Sequence, residues 1–131
     1  MDCITKYMED ERDACVYSPD FSLKRWLMSG VMPVNTALTV RKKSPNSHKN
    51  PWNTFTHELL LSLNKKQSPV AFVLWGAHAQ SYENLITNKR HAIFKFMHPA
   101  ASAYKKIPWK CNNFKQVDKF MEINGKQPIL W

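Results

Sequence analysis

The chain has 131 residues, of which 44% are hydrophobic, and 19 basic residues outweigh 10 acidic ones to give a formal charge of +9. This length suits one domain with a real core, and no apolar run approaches the roughly 20 residues that span a membrane. The positive charge favours polyanions such as DNA as non-specific partners.

The cysteines and the N-terminal sequence indicate the compartment in which the protein works. Cys3, Cys15 and Cys111 form an odd set without a CxxC pair, which argues against a disulfide framework or a zinc site. No basic segment followed by an apolar one opens the sequence, so no secretory signal is predicted. We expect an intracellular protein, in the cytoplasm or in a nucleus, with no cofactor and no membrane contact.

The N-terminal third is predicted to contain two helices and a strand. Residues 4–15 resemble a charged helix, and residues 22–28 a short helix with Leu23, Trp26 and Leu27 facing inward. Residues 31–40 are apolar and rich in β-branched side chains, which predicts a strand ending near Pro33 or lying at an edge. Residues 41–50 form a basic, polar loop.

The rest of the chain alternates helices and strands. A helix is predicted from Asn50-Pro51, with four apolar residues on one face: Trp52, Phe55, Leu59 and Leu63. Strands are predicted at residues 70–75 and 92–97, with a helix at 79–86 between them. A loop follows at residues 98–108 and a helix at 113–124, closed by Gly125. This alternation indicates a parallel α/β sheet.

Loops at the carboxyl ends of parallel strands carry function in such folds. Here these loops carry recognisable residues in order along nearly the whole chain. The motifs are G-V-M-P-V-N-T-A-L-T-V-R at 30–41, N-S-H-K at 46–49 followed by Trp52 and Phe55, V-L-W-G-A-H-A-Q at 73–80, K-R-H at 89–91, H-P-A-A at 98–101 and K-Q-P-I-L-W at 126–131. Together they resemble the C-terminal part of the family-1 uracil-DNA glycosylases.

The resemblance implies particular roles for two residues. Members of this family flip uracil out of DNA and hydrolyse its glycosidic bond. By resemblance, Asn35 is the asparagine that reads the polar edge of the base, and His98 is the histidine that stabilises the departing uracil anion. The family aspartate that orients water belongs to a G-Q-D-P-Y-H motif N-terminal to the asparagine.

That motif is not found in residues 1–30. The acidic side chains there are interpreted as solvated surface charge: Asp2, Glu9, Asp10, Glu11, Asp13 and Asp20. The aromatic residue that stacks on uracil has no clear counterpart, because Phe21 has the wrong context. Ala77 and Ala100 replace two of the family's DNA-gripping serines. The leucine that fills the gap left by the flipped base falls at Ser102 or is deleted, depending on the alignment.

These departures predict a single truncated domain over residues 1–131, missing one central strand of the three-layer fold. We expect a three-stranded sheet, or a dimer formed through the incomplete sheet. The main functional prediction is a catalytically inactive relative, of cellular or viral origin, that binds DNA or a protein partner linked to DNA repair or replication. Two alternatives remain open: an active uracil-DNA glycosylase, using a substitute acid or assembling with a missing fragment, and a structural or assembly protein that reuses the fold.

Candidate DNA contacts are basic, hydroxyl and aromatic residues in the loops that face DNA in the family. They are Arg41, Lys42, Lys43, Ser47, His48, Ser102, Tyr104, Lys105 and Lys106. Trp109 lies beside the last pair. His48, His57, His78 and His91 have no metal-ligand spacing with acidic or thiol partners, so no metal site is predicted.

Overall fold

A computed structural model describes residues 23–45 and 47–131. Within them, α1 spans Lys24–Met28, α2 Lys49–Asn64, α3 Ala77–Gln80, α4 Pro99–Lys105 and α5 Asn113–Ile123. Strand β1 spans Ala71–Trp75 and β2 spans Ala92–Phe96, and a 3₁₀ helix lies at Glu83–Leu85. The helix predicted for residues 4–15 lies outside the described residues.

The two strands pair in parallel, with Ala71 opposite Ala92 and Trp75 opposite Phe96. Because side chains alternate across a strand, β1 divides its residues between two helical layers. Phe72 and Leu74 pack with residues of α2 such as Leu60 and Leu63. The opposite face of the sheet packs against α5 and the C-terminal segment. The predicted three-layer α/β arrangement is therefore confirmed.

The C-terminal K-Q-P-I-L-W motif contributes to the hydrophobic cluster on the α5 side of the sheet. Trp131 is 6% exposed and packs edge-on against Phe114 and Trp26, at ring-centroid distances of 4.7 and 5.5 Å. Its indole N–H donates to both carboxylate oxygens of Asp118 at 3.0 Å, and the Ile129 N–H donates to the same carboxylate. The motif thus fastens the last residues to α5.

The prediction of a strand at residues 31–40 is wrong. The segment is extended but joins no ladder, so the sheet of the described residues has two strands instead of the expected three. Val31 packs against the core, but most of the larger apolar side chains that follow are exposed, with Met32 at 53%, Leu38 at 53% and Val40 at 60%. β-branched residues favour a strand only where a neighbouring strand offers backbone groups to pair with.

Several smaller predictions also need correction. Leu23 and Leu27, expected to face inward, are exposed, and Phe55 on α2 is 48% exposed whereas Thr56 is buried. The N-cap of α2 is His48, two residues before the expected N-cap Asn50, and the helix starts at Lys49. The helix predicted at 79–86 is two short helical turns. The predicted helix at 113–124 is confirmed, with Phe114 and Val117 buried.

None of the helices in the described part of the chain is long and apolar enough to cross a membrane.

Candidate active site

The carboxyl ends of β1 and β2 meet at one edge of the sheet. Trp75 and Phe96 are partners in the parallel register, and the Gly76 N–H donates to the Phe96 carbonyl at 2.8 Å. The side-chain amide of Gln80 donates to the Phe96 carbonyl at 2.9 Å and to the Leu74 carbonyl at 3.3 Å. The last residues of both strands are therefore held together by the turn that follows β1.

This turn brings Gly76 against His98. Gly76 has φ 88° and ψ 159°, a region that is almost restricted to glycine. A Cβ added at Gly76 would lie 2.9 Å from the Cβ of His98, closer than side-chain atoms normally approach. A glycine is required at this position for both reasons, and it allows the histidine to sit directly beside the end of β1.

His98 is fixed by the helix that follows it. It is the N-cap of α4, and its Nδ1 accepts the Ala100 N–H at 3.1 Å, while Pro99 occupies the first helical position. This cap corrects the prediction of a loop at 98–108. Because Nδ1 uses its lone pair as an acceptor, the ring proton lies on Nε2. The exposed side chain therefore presents an N–H donor, which is what a developing oxyanion needs.

Asn35 lies in the irregular segment that precedes α2, and its side chain is exposed. The segment is fastened at the next residue, where the Thr36 carbonyl accepts a hydrogen bond from the buried Thr56 hydroxyl at 3.0 Å. Among the described residues, no hydrogen bond joins Asn35 to His98. Both residues are exposed, and each lies on a segment that is held by a hydrogen bond at or next to the residue.

The basic loop before α2 is ordered by side chains. Arg41 and Ser44 form an isolated antiparallel bridge, and the Arg41 N–H donates to the Ser47 hydroxyl oxygen at 2.7 Å. The Thr39 hydroxyl accepts the indole N–H of Trp52 at 2.7 Å and lies 3.0 Å from Nδ1 of His48. Ser47 is nevertheless exposed, and so are the two further candidates on this loop, Lys42 and Lys43. The sequence did not indicate this hydrogen-bonded cluster.

The candidates after His98 divide into two groups. Tyr104 is 89% exposed, and Lys105 and Lys106 are exposed beside it at the end of α4. Ser102 is fully buried, and its hydroxyl donates to the Ile107 carbonyl, so it does not fit the expected role of a DNA contact.

Trp109 is also buried, at 4% exposure, and its indole donates to the Met97 carbonyl at 2.7 Å. It is therefore a core residue that supports the strand end before His98, and its ring is not available for stacking on a base.

Cys111 offers no alternative nucleophile. Its side chain is fully buried, and burial raises the pKa of the thiol. Since the thiolate is the reactive form, this cysteine is expected to be inert. The described residues also hold no group of three side chains suited to a metal ion.

The chain is similar in sequence to known proteins. No protein-family model matches the chain. Uracil-DNA glycosylase of Clostridium beijerinckii is 38% identical over 130 residues, which is 98% of this chain and 58% of that protein. That of Pseudomonas paraeruginosa is 40% identical over 128 residues, covering 95% of this chain and 55% of the relative. The chain therefore spans a little over half the length of these relatives.

Solved structures of similar fold include mimivirus uracil-DNA glycosylase, with a TM-score of 0.72 and 25% identity over 83% of this chain and 46% of that one. A variant of that enzyme in complex with UGI has a TM-score of 0.74, covering 88% of this chain and 49% of that one. The predicted glycosylase-like fold is confirmed by this similarity.

These comparisons correct the main functional prediction. The prediction of a catalytically inactive relative is wrong, because relatives that are 36–40% identical over nearly the whole chain are named uracil-DNA glycosylase. The prediction depended on a motif not found in residues 1–30, but the chain covers only 58% of the first of these relatives. The place where this sequence begins says nothing about that motif.

Proposed function

Because the chain is a relative of the uracil-DNA glycosylases, we propose that it works in the excision of uracil from DNA and forms the part of the site that receives the base. The observation that carries this proposal is the fixed orientation of His98. Its Nδ1 is occupied by the Ala100 N–H, and Gly76 closes the space on the other side of its Cβ.

The chemistry that we assign to His98 is stabilisation of the leaving group. When the glycosidic bond breaks, uracil departs with negative charge shared between its ring nitrogen and carbonyl oxygens. An Nε2–H donor held in place before the reaction stabilises this charge without needing to reorganise. Removing a single donor of this kind typically costs a factor of 10²–10³ in rate.

We assign recognition of the base to Asn35. A side-chain amide carries both a donor and an acceptor, so it can pair with the neighbouring N–H and C=O of uracil. Cytosine presents the opposite pattern at the corresponding edge, an amino group and an unprotonated nitrogen. The amide of Asn35 therefore provides a basis for discrimination between the two bases.

DNA binding is assigned to the exposed basic and aromatic residues around this edge. They comprise Arg41, Lys42, Lys43, Tyr104, Lys105 and Lys106, together with the exposed hydroxyl residue Ser47 and the half-buried His48. Cations on the loop before α2 attract the phosphate backbone, and the exposed ring of Tyr104 next to two lysines suits stacking on a base. Action on DNA also implies a location inside the cell.

The proposal is tested by uracil release from a single-stranded oligonucleotide that contains one uracil. The full chain is assayed alone and mixed with the N-terminal part of the Clostridium beijerinckii relative that precedes the matched region. We expect release in at least one of the two reactions, and its loss in His98→Ala and Asn35→Ala. Absence of release in both reactions would contradict the proposal.

A further inference from the structure

The N-terminal turn of α2 lies at the same edge of the sheet as His98. At the other end of this helix, Asn64 is joined to the segment that leads into β2: its amide donates to the Thr87 hydroxyl at 3.1 Å, and Asn88 donates to its carbonyl at 3.0 Å. A helix of 16 residues is about 24 Å long. Lys49 is therefore far from the amino ends of the strands and close to the carboxyl edge.

A second set of contacts brings the turn after β1 to the same end of α2. The Tyr82 hydroxyl donates to the side-chain carbonyl of Asn53 at 2.7 Å, and the His78 ring packs edge-on against Tyr82 with centroids 5.5 Å apart. Asn53 and Lys49 are four residues apart on a helix, so they share one face. His78 and Lys49 consequently occupy one corner of the molecule.

The pKa of His78 agrees with the placement of His78 and Lys49 at one corner. Partial burial is the larger cause that lowers the pKa of His78, and the positive charge of Lys49 lowers it further. Both side chains are in exposed residues, and within the described ranges 23–45 and 47–131 neither has a carboxylate within 4.0 Å. Two neighbouring nitrogen donors without a carboxylate between them suit a bound anion.

We propose that Lys49 and His78 form a phosphate-binding subsite for the backbone of the DNA strand that carries uracil. This inference rests on the proposed function, which places DNA at the carboxyl edge of the sheet. Lys49 contributes a charge that displaces a counterion from the phosphate, and His78 contributes a ring N–H as a hydrogen-bond donor. Tyr82 and Asn53 act as positioning residues that hold the histidine beside the lysine.

The test measures binding of the full chain to a fluorescent single-stranded oligonucleotide of thymine, without uracil, across a chloride series. Each phosphate neutralised on a single strand contributes about 0.7 to the slope of log affinity against log salt. We expect Lys49→Gln to reduce this slope by about 0.7 and Lys49→Arg to preserve it. His78→Ala should weaken binding severalfold above neutral pH with little change in slope.

Lys119→Gln is the matched control, because it removes the same charge from α5 on the opposite face of the sheet. Thermal unfolding of each variant shows whether the fold is intact. The subsite is disproved if Lys49→Gln and Lys119→Gln change the slope equally, or if the chain does not bind the oligonucleotide at low salt. The proposed function fails on a different measurement, uracil release by the unaltered chain.

Discussion

Gly76 and His98 meet at the carboxyl ends of the two strands, so closely that a Cβ on the glycine would lie 2.9 Å from the Cβ of the histidine. The glycine follows β1 and the histidine follows β2 by two residues. Their contact joins the turn that begins α3 to the cap that begins α4. The position of the leaving-group histidine therefore depends on a residue in a different loop.

Gly76→Ala tests this dependence. The substitution places a methyl group against His98 and demands a backbone conformation that costs a residue other than glycine about 1–3 kcal/mol. We expect the free energy of unfolding to fall by that amount and uracil release to fall with it. Gly125→Ala is a matched control, since it also has a positive φ, 66°, but a Cβ there would meet nothing within 4 Å. Equal loss of uracil release in the two variants would disprove a role for the contact.

Two substitutions of His98 separate its structural role from its chemical one. Asparagine is a good N-cap and can still accept the Ala100 N–H, whereas alanine loses the cap at a cost of about 1 kcal/mol. We expect His98→Asn to unfold at nearly the same denaturant concentration as the unaltered chain, and His98→Ala at a lower one. Uracil release should fall by about 10²–10³ in both. Retained release in His98→Asn would show that the histidine acts only as a cap.

The pKa of His78 gives a prediction about pH. Burial and Lys49 hold it below the ordinary value of 6.5. The unfolded chain therefore binds a proton more readily than the folded one, and His78 makes the free energy of unfolding decrease as pH falls through about 6.5. Proton NMR should give a midpoint for His78 below 6.5, and a higher midpoint in Lys49→Gln.

Because burial is the larger cause, Lys49→Gln should restore only part of this shift. Lys119→Gln should leave the midpoint unchanged. A His78 midpoint of 6.5 or above in the unaltered chain would contradict the structure at this corner.

Asp118→Asn probes the attachment of the C-terminal segment. Asp118 accepts hydrogen bonds from the Trp131 indole and the Ile129 backbone, and its charge strengthens both. We expect a loss of about 1–3 kcal/mol in the free energy of unfolding, measured by denaturant titration with tryptophan fluorescence. Glu122→Gln, which neutralises an exposed carboxylate one turn further along the same helix, should have little effect. A similar loss in both variants would contradict a specific clamp.

The elements that were predicted correctly are those in which the element's own pattern of apolar residues determines which side chains are buried. The apolar runs of β1 and β2 and the helical spacing of Phe114 and Val117 required no knowledge of the rest of the chain. Residues 31–40 are also apolar and rich in β-branched side chains, yet they form no strand, because a ladder also needs a partner. A local pattern does not report whether that partner is present.

The site was predictable to a similar extent. His98 and Asn35 were identified by resemblance, but the cap that sets the proton on Nε2 and the contact with Gly76 depend on packing between loops. Ser102 is a case in which the sequence predicted a contact that the fold does not allow. The resemblance placed it at the family's wedge leucine and so among the DNA contacts, whereas the fold of α4 turns it fully inward.

The most direct test of the account is uracil release from single-stranded DNA by the unaltered chain and by His98→Asn, each alone and mixed with the N-terminal part of the Clostridium beijerinckii relative. We expect release by the unaltered chain in at least one condition and a loss of about 10²–10³ in rate for the variant. Equal rates for the two proteins, or no uracil released in either condition, would contradict it.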